Sequence, residues 1–184
     1  MYLDDLLNQA VEKARAIIDE KSPDLENKDE VARQVGIGAV VFFDLYNNRI
    51  KDIDFSWERA LNFEGETGPY VQYTHARACS VLRKAGDAGA PDFAALCDPF
   101  SQDVVRLVEQ FPDILKSAVN HSEPSMVTRF AVDLAQAFNK FYYENKVMVD
   151  DAGVRSARLL LTDVVRRVLK LALYLIGVEA PERM

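Results

Sequence analysis

Between Pro124 and Lys146 the residues Val127, Phe130, Leu134, Ala137, Phe138 and Phe141 recur every three or four positions. That spacing gathers them on one side of an α-helix, whereas a strand would need strict alternation. The same period runs through Leu3, Leu6, Leu7, Ala10, Val11, Ala14 and Ile18. It returns in Val154, Leu161, Val164, Val165, Val168, Ala172 and Leu175. A helix with an apolar stripe must lay it against a neighbour. The chain is therefore expected to be all-α, a helical bundle.

The punctuation between these stretches sets the remaining elements. Ser22-Pro23 breaks the first helix. Asn27 and Glu30 have the spacing of a capping box and should open a second helix that runs to about Tyr46. That helix is apolar nearly all round, from Val35 to Phe43, and should be buried. Residues 50–55 read as a short extended piece, and Ser56 as the cap of a short helix through Leu61. A polar loop, Asn62 to Gly68, precedes Pro69, a residue favoured at the first helical position, and the next helix should reach about Lys84. Gly86 to Gly89 with Pro91 reads as a linker. Residues 92–120 are expected to form two or three short helices, interrupted at Pro99 and Pro112. Asp150 or Asp151 should cap the last helix, which ends at Gly177.

Hydrophobic residues make up 49% and charged residues 28% of the 184 positions, which suits a packed core and not a disordered chain. The two cysteines, Cys79 and Cys97, lack metal-ligand spacing and read as free thiols of a reducing compartment. Charges interrupt the N-terminal apolar residues, so no signal peptide is expected. No run approaches the roughly 18 apolar residues of a membrane span. A cytoplasmic location follows as the expectation. The net charge of −7 argues against a nonspecific nucleic-acid binder. It leaves room for a specific one, because phosphate responds to local potential.

The residues Asp52-Ile53-Asp54-Phe55-Ser56-Trp57, followed by Pro69-Tyr70-Val71-Gln72-Tyr73-Thr74-His75-Ala76-Arg77, resemble a pattern of bacterial arginyl-tRNA synthetases. In that family the pattern joins the catalytic domain to the anticodon-binding helical bundle. Phe138-Asn139-Lys140-Phe141-Tyr142 and the ending Gly177-Val178-Glu179-Ala180-Pro181-Glu182-Arg183-Met184 are similar to the same family. Two positions depart from the wider pattern. The Asp-Ala-Leu-Arg signature of related bundles corresponds to Gly38-Ala39-Val40-Val41, and Thr74 stands where Ala is common.

The resemblance implies residues 1–66 as a helical junction segment following a catalytic core, and residues 67–184 as the anticodon-binding bundle. It implies a C-terminal fragment whose natural end is Met184. The ATP-holding motifs of class I synthetases, His-x-Gly-His and a Lys-Met-Ser-Lys-Ser-like loop, do not occur in the sequence. No cofactor is therefore expected here, ATP and Mg belonging to the full-length enzyme. The expected partners are an arginine-specific tRNA and the catalytic domain of the same polypeptide, with no membrane and a monomeric state. The chain would be part of an arginine–tRNA ligase and inactive alone.

An anticodon-loop reader needs rings, guanidinium groups and polar edges beside an apolar scaffold. On the helix from Pro69, Val71, Thr74, Ala78 and Leu82 share the core side, and Tyr73, Arg77 and Lys84 line up on another side with Tyr70 at its edge. His75 falls near the core and reads as a structural residue. On the helix from Pro124, Tyr142 and Lys146 lie one turn apart on the rim, and Tyr143 points away. The resemblance places the position of Tyr142 in the anticodon pocket; that of Lys146 is a Trp in some members. On the last helix Arg155, Arg166, Arg167 and Lys170 form a basic side suited to phosphate. Family members end at a Met beside the anticodon pocket, as Met184 would. The candidate tRNA contacts are thus Tyr73, Arg77, Tyr142, Lys146, Arg166 and Met184. Blander readings stay open. Tyr73 and Arg77 can be a solvated helix face, Tyr142 a cover for the core edge, and Met184 a frayed terminus. Two other functions compete: a helical protein-interaction module, and an enzyme in its own right, for which no nucleophile–base pair, metal cluster or phosphate loop is present.

Overall fold

A computed structural model describes residues 2–48, 50, 52–85 and 89–184. Seven α-helices occur among the described residues: α1 Leu3–Lys21, α2 Lys28–Tyr46, α3 Trp57–Ala60, α4 Gly68–Lys84, α5 Pro99–His121, α6 Ser125–Glu144 and α7 Ala152–Leu175. A 3₁₀ turn, Phe93–Leu96, precedes α5. No strand occurs among the described residues. Residues 52–56 are irregular and pair with nothing sheet-like, so the short extended piece is only a connector. The expected linker falls partly on residues 86–88, outside the described residues.

Each helix forms for a local reason. Thr67 accepts a hydrogen bond from the Tyr70 amide and caps α4, with a proline in its first turn. Asp98 accepts from Phe100 and Ser101 at the start of α5, and Asp151 from Val154 at the start of α7. The α7 helix closes in a Schellman motif. The Val178 amide donates to the Leu173 carbonyl at 2.9 Å and Gly177 to Tyr174 at 3.0 Å. Gly177 takes φ +75°, a backbone that side-chain-bearing residues resist.

Three local expectations give way. Asn27 does not form a capping box: it sits in the left-handed region with no side-chain cap bond, and Glu30 pairs with Arg33 instead. Pro112 does not interrupt α5, which runs unbroken across it. The proline is exposed while Phe111 beside it is buried and stacks on Phe130 at 4.8 Å, so packing holds the helix through the missing ladder bond. Leu175 is half exposed, because it falls off the side of α7 on which Val165, Leu169, Ala172 and Leu173 are buried.

Two apolar cores result. The larger joins α4, α5, α6 and α7 around Phe130, Leu134, Phe138, Phe141, Leu169 and Leu173. The smaller joins α1 to α2 through Ala14, Ile18, Val31, Val35 and Ala39. Trp57 packs at its edge, its ring edge-on to Phe55 at 4.9 Å. Phe42 of α2 belongs to the larger core, so α2 serves both. The α1–α2 crossing is close: a Cβ at Gly36 would lie 2.7 Å from the Ala10 backbone.

The last residues, 178–184, strap across α4. Val178 and Pro181 are buried. Gln72 Nε2 donates to the carbonyl of Glu179 at 2.8 Å and to that of Gln34 at 3.0 Å. His75 is fully buried, and its Nδ1–H donates to the Pro181 carbonyl at 3.0 Å, which fixes the tautomer. Arg83 donates to the Glu182 carbonyl at 3.0 Å. Burial, assisted by Lys170 and Arg166, holds the His75 pKa below its ordinary value against the opposing Pro181 bond.

Two outcomes follow. Gly36→Ala should destabilise the chain by about 1–3 kcal/mol, as overpacking against backbone does, measured by denaturant unfolding. Acid should weaken the strap. As pH falls through the histidine range, the unfolded chain gains a proton that folded His75 refuses, so stability present at neutral pH is lost. Thermal melts across that range should show the slope, and His75→Gln should flatten it; an unchanged slope would assign the titration elsewhere.

Candidate functional site

The α4 and α6 helices meet along a polar seam set into apolar packing. Asn139 lies one position after Phe138, on a helix whose neighbouring turns are buried in the core. Its Nδ2 donates to the Tyr70 hydroxyl and to Thr74 Oγ1, both at 2.9 Å. Its Oδ1 accepts from the Arg77 guanidinium. Thr74 Oγ1 in turn donates to the Tyr70 carbonyl at 2.9 Å. One amide thus ties three α4 side chains to α6.

Arg77 is half-buried between two rings. Its guanidinium carbon lies 4.9 Å from the Tyr73 ring centre and 5.8 Å from that of Tyr142. Such cation–π contacts hold the guanidinium without cancelling its charge. No carboxylate pairs with it among the described residues. Tyr73 is 40% and Tyr142 39% exposed, so each keeps part of its surface in solvent. The inner side of Tyr142 stacks on buried Phe138, with centroids 6.3 Å apart.

Clefts open on both sides of Arg77. Toward the strap, the lining includes Leu25, Tyr73, Ser80, Arg83, Arg183 and Met184. A contiguous cleft adds Lys21, Phe63 and Tyr70. Met184 is partly buried and packs against the smaller core, so the strap is docked to its last residue. Away from the strap, Arg77 shares a cleft with Ser80, Lys84, Tyr142, Tyr143 and Lys146.

Of the six residues singled out in the sequence, the fold brings five together: Tyr73, Arg77, Tyr142, Lys146 and Met184. Arg166 stands apart, in a cleft with Cys79, Leu82, Arg83, Asp163 and Glu182. Its Nε and one Nη donate to a single Asp163 oxygen at 2.8 and 2.6 Å, and Arg167 takes the other oxygen at 2.7 Å. Arg155 donates to the Val149 carbonyl at 2.7 Å, and Lys170 lies 3.6 Å from Glu182. The basic side of α7 is therefore largely partnered within the fold. Lys84 and Lys146 form no ion pair with a described residue. Asn139 was not singled out from the sequence, although an amide between Phe138 and Phe141 on so apolar a helix is itself a signal.

No group of three His, Cys, Asp or Glu suited to a metal occurs among the described residues. Cys79 and Cys97 are free thiols, one buried and one exposed. No helix among them is long and apolar enough to cross a membrane. The site is thus a cleft of rings and cations, suited to holding a flat or anionic ligand by stacking and charge.

Comparison with known proteins agrees with this geometry. Residues 71–184 match the family model described as DALR anticodon binding domain. Residues 1–57 match the model of the class I (R) tRNA synthetase catalytic domain. The chain is 53% identical over 186 aligned residues to an arginine–tRNA ligase of Alkaliphilus metalliredigens, covering 100% of this chain and 33% of that protein. It is 52% identical to the corresponding ligase of Halothermothrix orenii, with the same coverage. The chain thus spans about a third of these relatives. Among solved structures, the arginyl-tRNA synthetase of Thermus thermophilus superposes with a TM-score of 0.95 at 38% identity, over 100% of this chain and 32% of that one. The Plasmodium falciparum enzyme shares the fold, with a TM-score of 0.88 at 24% identity, over 100% of this chain and 34% of that one. The chain belongs to the family of DALR anticodon binding domains and is homologous to that part of the bacterial arginine–tRNA ligases.

Proposed function

We propose that this chain binds the anticodon stem-loop of an arginine-specific tRNA, and that it does so as part of an arginine–tRNA ligase. The observation that carries the reading is the half-buried Arg77 guanidinium, framed by Tyr73 and Tyr142 and lacking a carboxylate partner. Unpaired bases stack on such planes, and a base edge or phosphate supplies the acceptors that the guanidinium lacks. Met184, brought to the cleft by the strap, adds a flexible thioether suited to packing against a base. Lys146 lines the cleft on the other side of Arg77. Arg166, its charge balanced by Asp163, is left a peripheral phosphate contact.

In this reading residues 67–184 form the tRNA-binding bundle and residues 1–66 the junction to a catalytic core on the same polypeptide. ATP and Mg would act in that core. A monomer suffices, because the cleft is built from one chain. An interaction module without a tRNA role would not need an uncompensated guanidinium between two rings.

The test is binding of labelled arginine tRNA, followed by fluorescence anisotropy over a range of salt. Affinity should fall steeply with salt, since phosphate contacts release counterions. Arg77→Ala and Tyr142→Ala should each weaken binding by about 1–3 kcal/mol, the usual range for loss of a stacking partner. Equal binding of unrelated tRNAs, with neither substitution having an effect, would refute the reading. The purified chain should also give no arginine-dependent ATP–pyrophosphate exchange; measurable exchange would show that it holds its own activation site.

A further inference from the structure

The cleft on the side of Arg77 away from the strap has a different character from the one beside Met184. Its floor is apolar, with Val81 and Val147 both buried. Its rim is cationic and hydroxylic: Ser80 and Lys84 rise from α4, and Lys146 from the segment after α6. Arg77, Ser80 and Lys84 fall at helical spacing on one face of α4, so the row leads directly away from the guanidinium.

The backbone under Lys146 is fixed. Its carbonyl accepts from Arg158 of α7 at 2.7 Å, and the neighbouring Asn145 side chain donates to Asp98 at 3.1 Å. The Lys146 side chain is left exposed on that anchored backbone. Neither lysine is ion-paired with a described residue, in a chain whose net charge is −7. Elsewhere Arg15, Lys28, Arg33, Arg106, Lys116, Arg166, Arg167, Lys170 and Arg183 have carboxylate partners, and Lys13, Arg59 and Lys140, without one, lie over ring faces. Two unpaired ammonium groups from different elements, facing one apolar-floored cleft, form a local positive site on an acidic body.

We infer that Ser80, Lys84 and Lys146 form a phosphodiester subsite for the single-stranded RNA whose base is held beside Arg77. This rests on the reading proposed above and extends it by giving the strand a direction of travel. One nucleotide sits at Arg77 between Tyr73 and Tyr142, and the adjoining backbone passes over Lys84 and Lys146. The subsite supplies charge and register and reads no base, because ammonium groups meet phosphate as point charges.

The experiment measures binding of a hairpin RNA carrying an arginine anticodon loop, as log K against log salt. Each phosphate contact on a single strand contributes a slope of roughly 0.7. The double variant Lys84→Gln with Lys146→Gln should weaken binding and flatten the slope by roughly 1.4, two such contacts. Tyr142→Ala should weaken binding with the slope unchanged. A neutral methylphosphonate placed at successive loop linkages should weaken the native chain at one or two positions and leave the double variant indifferent there. Both lysines are exposed, so thermal melts should be unaltered and folding does not confuse the result. A native slope in the double variant, with Arg77→Ala still weakening binding, would overturn the subsite and leave the Arg77 reading standing. Indifference to Arg77→Ala and Tyr142→Ala as well would overturn both.

Discussion

Inside the bundle, one buried amide decides where the end of the chain lies. Gln72 is wholly enclosed, and its Nε2 donates to carbonyls of two other segments, Gln34 in α2 and Glu179 in the strap. A buried polar group deprived of a partner costs about 1–3 kcal/mol, so the three segments are held in one register. Outside it, Arg33 and Gln34 clasp the Glu179 carboxylate at 2.6 and 3.1 Å. The rest of the strap follows from that anchor. Pro181 is laid over His75, Glu182 beside Arg83, and Met184 into the cleft that Arg77 shares with Tyr73.

The electrostatics of the cleft are made by subtraction as much as by placement. Several cations of the fold stand beside a carboxylate, and Asp163 alone occupies two arginines. Arg77 is held differently, by an amide oxygen and two ring faces, none of which carries a formal charge. A guanidinium kept in place by neutral neighbours retains its attraction for an anion and is already ordered, so little rotamer entropy is lost on binding. An acidic chain can in this way present a confined basic spot without becoming a general polyanion binder.

The helical content was open to reading from periodicity. The stripes of α1, α6 and α7 place those helices within a few residues, and Asp151 and Gly177 mark the limits of α7 by their chemistry. Tyr73 and Arg77 can be aligned from spacing alone, because both lie on α4. That Arg77 meets Tyr142 depends on how α4 crosses α6, which no single-helix period encodes; the family resemblance supplied that pairing. The failures share a cause. At Asn27, Pro112 and Leu175 the outcome is set by side-chain pairing and packing that the local pattern does not carry. Glu30 is claimed by Arg33, Phe111 is held by Phe130, and Leu175 falls off the buried side of α7 that Ala172 and Leu173 occupy. The strap was legible as a motif but not as a structure, since its anchors Gln34, Gln72 and His75 lie more than a hundred residues away in sequence.

The double membership of α2 has a mechanical meaning. Its Val35 lies in one core and its Phe42 in the other, on a single rod of 19 residues, roughly 28 Å at 1.5 Å per residue. Close-packed cores do not deform gradually. A tilt imposed on the rod where Phe42 enters the larger core must therefore reappear at the contact with α1. The protein has in this shared helix a stiff rod joining the α1 packing to the larger core of the bundle.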